Sequence, residues 1–172
     1  MTSVIVALVL QLAGNPSTGS APPSPGELLI GSWVLVSRED RSADGRVVPE
    51  PNLGSDALGF LVYDRAGNVA AQLMRQRRQA GSGSSTQPAQ ENPNNSGAAG
   101  GYDAYFGTYT LDLQSHKVTH HLAGALLPGD VGRSLTRHFE VSETELRLWF
   151  ETAGAAGQPV VRTLVWRRAG KR

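Results

Sequence analysis

Three side chains in the second half of this chain have the chemistry of a site that could hold a ligand or move a proton: Tyr109, His120 and Arg137. Histidine titrates near neutrality, so an imidazole beside a phenol is a candidate general acid or base. The plainer alternative is an interior His120 satisfied by a hydrogen bond to tyrosine or water. His120 and His121 are adjacent, and neighbours on a strand point to opposite faces. They therefore cannot both enter one cavity or chelate one metal together. Arg137 falls on the apolar face of its segment. A buried guanidinium needs an anion or several acceptors, and the interior faces of the neighbouring strands offer no clear acidic partner. A ligand carboxylate, or a barrel mouth reached by solvent, would answer that need. Tyr63 and Gln72 are further candidates for polar contacts, on strands whose mutual register the sequence leaves ambiguous.

The elements that must position these residues are short strands. Alternation of period two dominates from Gly31 onward. Trp33, Leu35 and Ser37 share one face of the first strand, and Val34, Val36 and Arg38 share the other. Leu58 to Tyr63 and Asn68 to Arg75 are the next two strands, joined at Asp64-Arg65-Ala66-Gly67. Val47-Val48 extends the sheet briefly before Pro49 and Pro51 stop it. Tyr105 to Leu113 pairs with His116 to Ala123 through a two-residue loop at Gln114-Ser115. That register puts Tyr109, Leu111, Val118, His120 and Leu122 on one face, taken as interior because the other carries Thr108, Thr110, Thr119 and His121. Arg133 to Val141 pairs with Glu145 to Glu151, setting Phe139 against Leu148 and Arg137 against Phe150. Pro159 to Arg167 is the last strand. Eight antiparallel strands in up-and-down order predict a closed all-β barrel, its cavity lined by Leu35, Leu111, Val118, Leu122, Phe139, Leu148 and Phe150.

Composition narrows the function. The 172 residues carry a net charge of +1, too balanced for a nucleic-acid-binding face. There is no cysteine, so disulfides, zinc–thiolate sites and a cysteine nucleophile are excluded. No phosphate-binding loop, nucleophile elbow, dinucleotide fingerprint or paired-histidine metal motif is present, and no cofactor or metal is expected. Residues 1–26 comprise an apolar run, Val4 to Leu10, and a Pro/Ser/Gly linker expected to be extended or disordered. The run is too short to span a bilayer. It has the length of a signal-peptide core but no preceding basic residue, which leaves the compartment open. Residues 27–168 are expected to form one domain and 169–172 a solvated basic tail. Gln79 to Gly101 is low in complexity, expected to be disordered over its first two thirds, with a short helix from Ala98 to Tyr105.

Several of these stretches together resemble the bacterial and fungal lipocalin-like domain family, a calycin-type barrel. They are Gly31-Ser32-Trp33 through Ser37, Asp44-Gly45-Arg46-Val47-Val48, Gly59-Phe60-Leu61-Val62-Tyr63 and Ala71-Gln72-Leu73-Met74-Arg75. Ala104 to Tyr109, Val118-Thr119-His120-His121 and Thr163-Leu164-Val165-Trp166-Arg167 complete the match. The resemblance implies an eight-stranded barrel that takes up small hydrophobic molecules. It also implies that Trp33 packs at the closed end under an arginine of the last strand, Arg167 or its neighbour Arg168. Some barrels of this shape act as cyclases or isomerases. The first expectation is a binding protein for one small lipophilic ligand oriented by Tyr109, His120 and Arg137. The alternative is a cofactor-independent isomerase or cyclase with His120 as acid/base. A third possibility is a barrel filled by its own side chains. The insert at Ala80 to Gly100 departs from the family pattern.

Overall fold

The structure, a computed structural model, describes residues 21–50, 52–78 and 94–170. The apolar N-terminal run and the Gln79 to Pro93 part of the low-complexity segment lie outside these residues.

A single helical turn, α1 (Pro25–Leu29), opens the described chain where a linker and then a strand were expected. Its signal is local. Ser24 accepts from the Glu27 N–H, Glu27 reaches back to the Ser24 N–H, and Pro25 occupies the first turn. The strands follow as β1 (Gly31–Ser42), β2 (Val47–Val48), β3 (Leu58–Tyr63), β4 (Asn68–Met74), β5 (Tyr102–Asp112), β6 (Lys117–Ala125), β7 (Ser134–Val141), β8 (Glu145–Ala153) and β9 (Pro159–Arg168). All pairings are antiparallel between sequence neighbours, apart from the short β2, and β1 also pairs with β9. That last pairing closes an eight-stranded barrel, the architecture expected from period-two spacing.

One end of the barrel is shut. Leu29 is fully buried there, and Trp33 donates its indole N–H to the Leu29 carbonyl at 2.9 Å. The Arg168 guanidinium lies 4.1 Å from the centre of the Trp33 ring and donates to the carbonyls of Leu28, Ile30 and Glu143. Arg167 points outward and is exposed, so Arg168 and not Arg167 caps the tryptophan. Parity explains this: Arg168 shares a face with buried Trp166. Gly31 has φ +138° at this corner, and a Cβ there would stand 2.6 Å from Arg168 Nη1.

Two bulges alter the alternation. On β1, Leu35 opposes Trp166 but Ser37 opposes Val165, so Val36 is an extra residue. Val36 and Ser37 both face out, and Arg38 and Asp40 turn inward. The expected outward Arg38 is thereby corrected. On β6, Ala123 is the extra residue between the pairs Phe106↔Gly124 and Gly107↔Leu122. Gly107 is required there, because a Cβ would lie 1.9 Å from the His121 carbonyl oxygen.

The β5–β6 pairing has the expected register, including Tyr109↔His120 and Leu111↔Val118. Its turn is longer than expected, spanning Leu113 to His116, because Asp112 accepts from the N–H groups of Gln114 and Ser115. Ala98 to Tyr105 is not helical: an Ala99↔Tyr102 bridge leads directly into β5.

Candidate functional site

The interior has two parts with different chemistry. Nearer the closed end is a packed cluster around His120. The imidazole is 1 % exposed. Its Nε2 lies 2.7 Å from the Tyr63 hydroxyl and its Nδ1 lies 2.9 Å from the Tyr105 hydroxyl. A neutral imidazole has one N–H and one bare nitrogen, so one tyrosine donates and the other accepts. Tyr109 packs edge-on against Tyr63 and donates to the Asp64 carbonyl at 3.0 Å. Tyr63 and Tyr105, not Tyr109, are therefore the hydrogen-bonding partners of His120.

Burial, followed by the positive charge of Arg137, pushes His120 down to about 3. Burial pushes Tyr105 up to about 12 and Tyr63 well above the ordinary phenol value. The His120 shift has a consequence for stability. The folded value is depressed, so the contribution is fully present above the unfolded value near 6.5 and is lost as pH falls towards about 3. Acid unfolding of the wild type should accordingly exceed that of His120→Gln over this window, by up to about 1.4 kcal/mol per pH unit. Denaturant titrations at matched pH would check it, and parallel pH profiles would rule the effect out.

Towards the other end lies a cavity with about 440 Å³ of unfilled space including its opening. The room inside is narrow. Leu61, Leu73, Leu148, Phe150, Leu164 and Trp166 supply apolar wall, and Arg38, Asp103, Tyr105, Arg137 and Arg162 supply polar wall. Leu53 and Ser96 reach it from the connecting segments.

The charged groups come from neighbouring strands. Phe150 opposes Arg162, which opposes Asp40, across β8, β9 and β1. Asp40 holds Arg162 through two hydrogen bonds, of 2.7 and 2.6 Å. Arg38 Nη1 lies 2.5 Å from Glu50 Oε2, a close ion pair without the alignment of a hydrogen bond. Glu50 also accepts from the N–H groups of Asn52, Leu53 and Gly54. Burial lowers both Arg38 and Arg137 to about 10.

Arg137 is held differently. Its guanidinium lies 3.6 Å from the centre of the Phe150 ring and donates to the carbonyls of Asn94 and Thr136 and to Asn94 Oδ1. Among the described residues, no carboxylate oxygen lies within ion-pair distance of it. Asp103, 5 % exposed, accepts from the Ser96 hydroxyl at 2.6 Å. Burial is the main cause that raises its carboxyl to about 6.

The residues expected at the site divide accordingly. Arg137, Leu148 and Phe150 line the cavity. His120, Tyr63, Tyr109 and Phe139 do not; they belong to the packed part, with Val118 and Leu122. Leu35 and Leu111 are also packed against this core and away from the cavity wall. Gln72 is on the outside of the barrel, where it accepts from the Tyr102 hydroxyl at 3.2 Å. Its pairing with Phe60 fixes that orientation.

A family model described as a lipocalin-like domain matches residues 30–169. The chain belongs to the lipocalin-like domain family. No curated protein matches it. Two solved structures are similar to this lipocalin-like domain. The first is a complex of bovine odorant binding protein with a selenium-containing odorant, 12 % identical, with a TM-score of 0.45 over 91 % of this chain and 80 % of that one. The second is a designed fluorescence-activating β-barrel, 11 % identical, with a TM-score of 0.37 over 83 % of this chain and 94 % of that one. Among the described residues of the lipocalin-like domain, no helix is long and apolar enough to cross a membrane.

Proposed function

We propose that this lipocalin-like domain binds one small lipophilic carboxylate in its barrel cavity. The lipocalin-like barrel commonly holds small hydrophobic ligands, and this cavity sets an apolar wall beside polar groups that could orient one. The observation that carries the finer reading is the Arg137 guanidinium, buried on the cavity wall and served by carbonyl oxygens rather than by a carboxylate. An anion beside it would gain an electrostatic interaction little weakened by water. The narrowness of the space favours a compact hydrophobic body over a long acyl chain.

The surroundings of His120 support binding over catalysis. An isomerase or cyclase using it as acid/base would need the imidazole to reach the ligand and to titrate near neutrality. Both ring nitrogens are engaged by tyrosines, and Tyr105, not His120, lines the cavity wall.

Native mass spectrometry of the purified protein, followed by solvent extraction, would identify any bound compound. Calorimetry with aromatic and short branched carboxylates, each paired with its methyl ester, tests the role of Arg137. The acids are expected to bind at least about tenfold more tightly than their esters, in line with a charge-assisted interaction, and Arg137→Gln should abolish the difference. An unchanged preference in that variant, with its barrel still folded by circular dichroism, would overturn the role given to Arg137.

A further inference from the structure

The outer surface of the barrel has two sides of different character. On β7, β8 and β9 the outward positions pair opposite charges, as a solvated sheet face does. Glu140 opposes Arg147 there, and Glu145 opposes Arg167. On β1, β3, β4 and β5 two successive outward rows carry no charge at all. One runs Val34, Phe60, Gln72, Ala104, and the next runs Ser32, Val62, Ala70, Phe106. The residues between the rows, Trp33, Leu61, Ala71 and Tyr105, are buried, so both rows face out.

Exposure is concentrated on the same side. Among the described residues nine large apolar side chains are exposed, and five of them gather here. Phe60 and Phe106 lie in the rows, and Val36, Leu58 and Leu126 flank them. Phe106 is 60 % exposed and Phe60 is 44 % exposed. Single exposed apolar residues are ordinary, but a contiguous patch marks a contact surface.

A second copy of this chain fits the face. In a two-fold contact a patch meets itself, so any charge on it would meet its like. These rows have none. Their largest polar group is Gln72, between Phe60 and Ala104, and a primary amide both donates and accepts. Its Oε1 accepts from the Tyr102 hydroxyl at 3.2 Å and has a second lone pair to offer. Packed sheets lie about 10 Å apart, a gap that two facing glutamines can bridge. Arg75, Arg77 and Arg78 follow Met74 at one end of the face. A two-fold axis running across the strands sends the two sets of arginines to opposite ends. The rows extend only about 15 Å from β1 to β5. That footprint is small beside the about 800 Å² per partner of a standard interface, which suits reversible association.

We propose that two copies of this chain associate reversibly through the outer face of β1, β3, β4 and β5, about a two-fold axis that crosses the strands near Gln72. The contact does not depend on the cavity or on what the cavity holds.

Sedimentation velocity of the full chain, from low micromolar to several hundred micromolar, should show monomer giving way to dimer as concentration rises. Phe60→Glu and Phe106→Glu each put a carboxylate on the face and should weaken association at least about tenfold. Both positions are exposed, so circular dichroism should be unchanged. Val161→Glu, at an exposed position on the charged side, should dimerise like the wild type. The chain has no cysteine, so Gln72→Cys carries a single thiol. A short bismaleimide should join that variant into dimers and leave Val161→Cys monomeric. If the glutamate variants fail to fold, this cross-link decides the matter. A wild type that stays monomeric at every concentration overturns the inference. So does self-association that survives both glutamate variants, which would place the contact elsewhere on the chain. A monomer that instead floats with phosphatidylcholine vesicles would make a lipid surface the occupant and overturn the second copy.

Discussion

Trp33→Ala is expected to lower the unfolding free energy by about 3–5 kcal/mol, the range for truncating a fully buried large aromatic. Three losses combine. The side chain is 0 % exposed, so its removal leaves a void beneath α1 that the rigid barrel end cannot collapse to fill. The Leu29 carbonyl loses its indole donor. The Arg168 guanidinium loses the ring it lies against, a contact worth up to about 2 kcal/mol when desolvated. Trp33→Phe separates these contributions, because it keeps most of the ring and removes only the N–H. It should cost about 1–3 kcal/mol, the penalty for an unsatisfied buried group. Urea denaturation of the three proteins would measure both steps. Equal stability of the phenylalanine and alanine variants would mean that the hydrogen bond, not the packing, closes this end.

Asp40→Ala should cost a similar amount, about 3–5 kcal/mol, for a different reason. It leaves Arg162 buried without its two-point partner, and Glu50 at 4.0 Å is too distant to replace it fully. The useful comparison is the double variant Asp40→Val/Arg162→Met. Removing both charges removes the desolvation penalty as well, so the double variant should be clearly more stable than Asp40→Ala alone. A double variant as unstable as the single one would show that the pair is needed for the fold itself, not merely for neutralising a charge.

The barrel was legible because its strands are short, alternate cleanly and are separated by strong turn residues. β3 and the pairings of β5 with β6 and of β7 with β8 follow from that pattern alone. The polar side of the cavity was less legible, and the reason is the bulge at Val36. An extra residue in a strand has no distinctive residue type, yet it reverses the facing of everything beyond it. Parity carried forward from Trp33 therefore sets Arg38 on the outer face. Other residues of the polar wall are legible from spacing alone. Asp103 and Tyr105 share a face with Tyr109 by period two, before any register is known, and so belong with the interior set. Arg162 lies between Val160 and Leu164 on one face of the last strand, a charge in an apolar row of the kind that drew attention to Arg137. Gln72 could not be placed, because the Asp64–Gly67 turn admits more than one register and only the observed pairing with Phe60 puts it outside.

The β1–β9 pairing that closes the barrel also has a kinetic side. These two strands meet from Ser42↔Val160 to Trp33↔Arg168, almost the full separation the described chain permits. A growing chain would leave the ribosome with one long flank of β1 uncovered until the last strand appears. Folding should therefore be slow to complete, and a nascent chain that stalls before β9 would present an open edge capable of templating aggregation. Truncation just before Pro159 should yield insoluble protein, even though the truncated chain keeps every residue of β1 to β8.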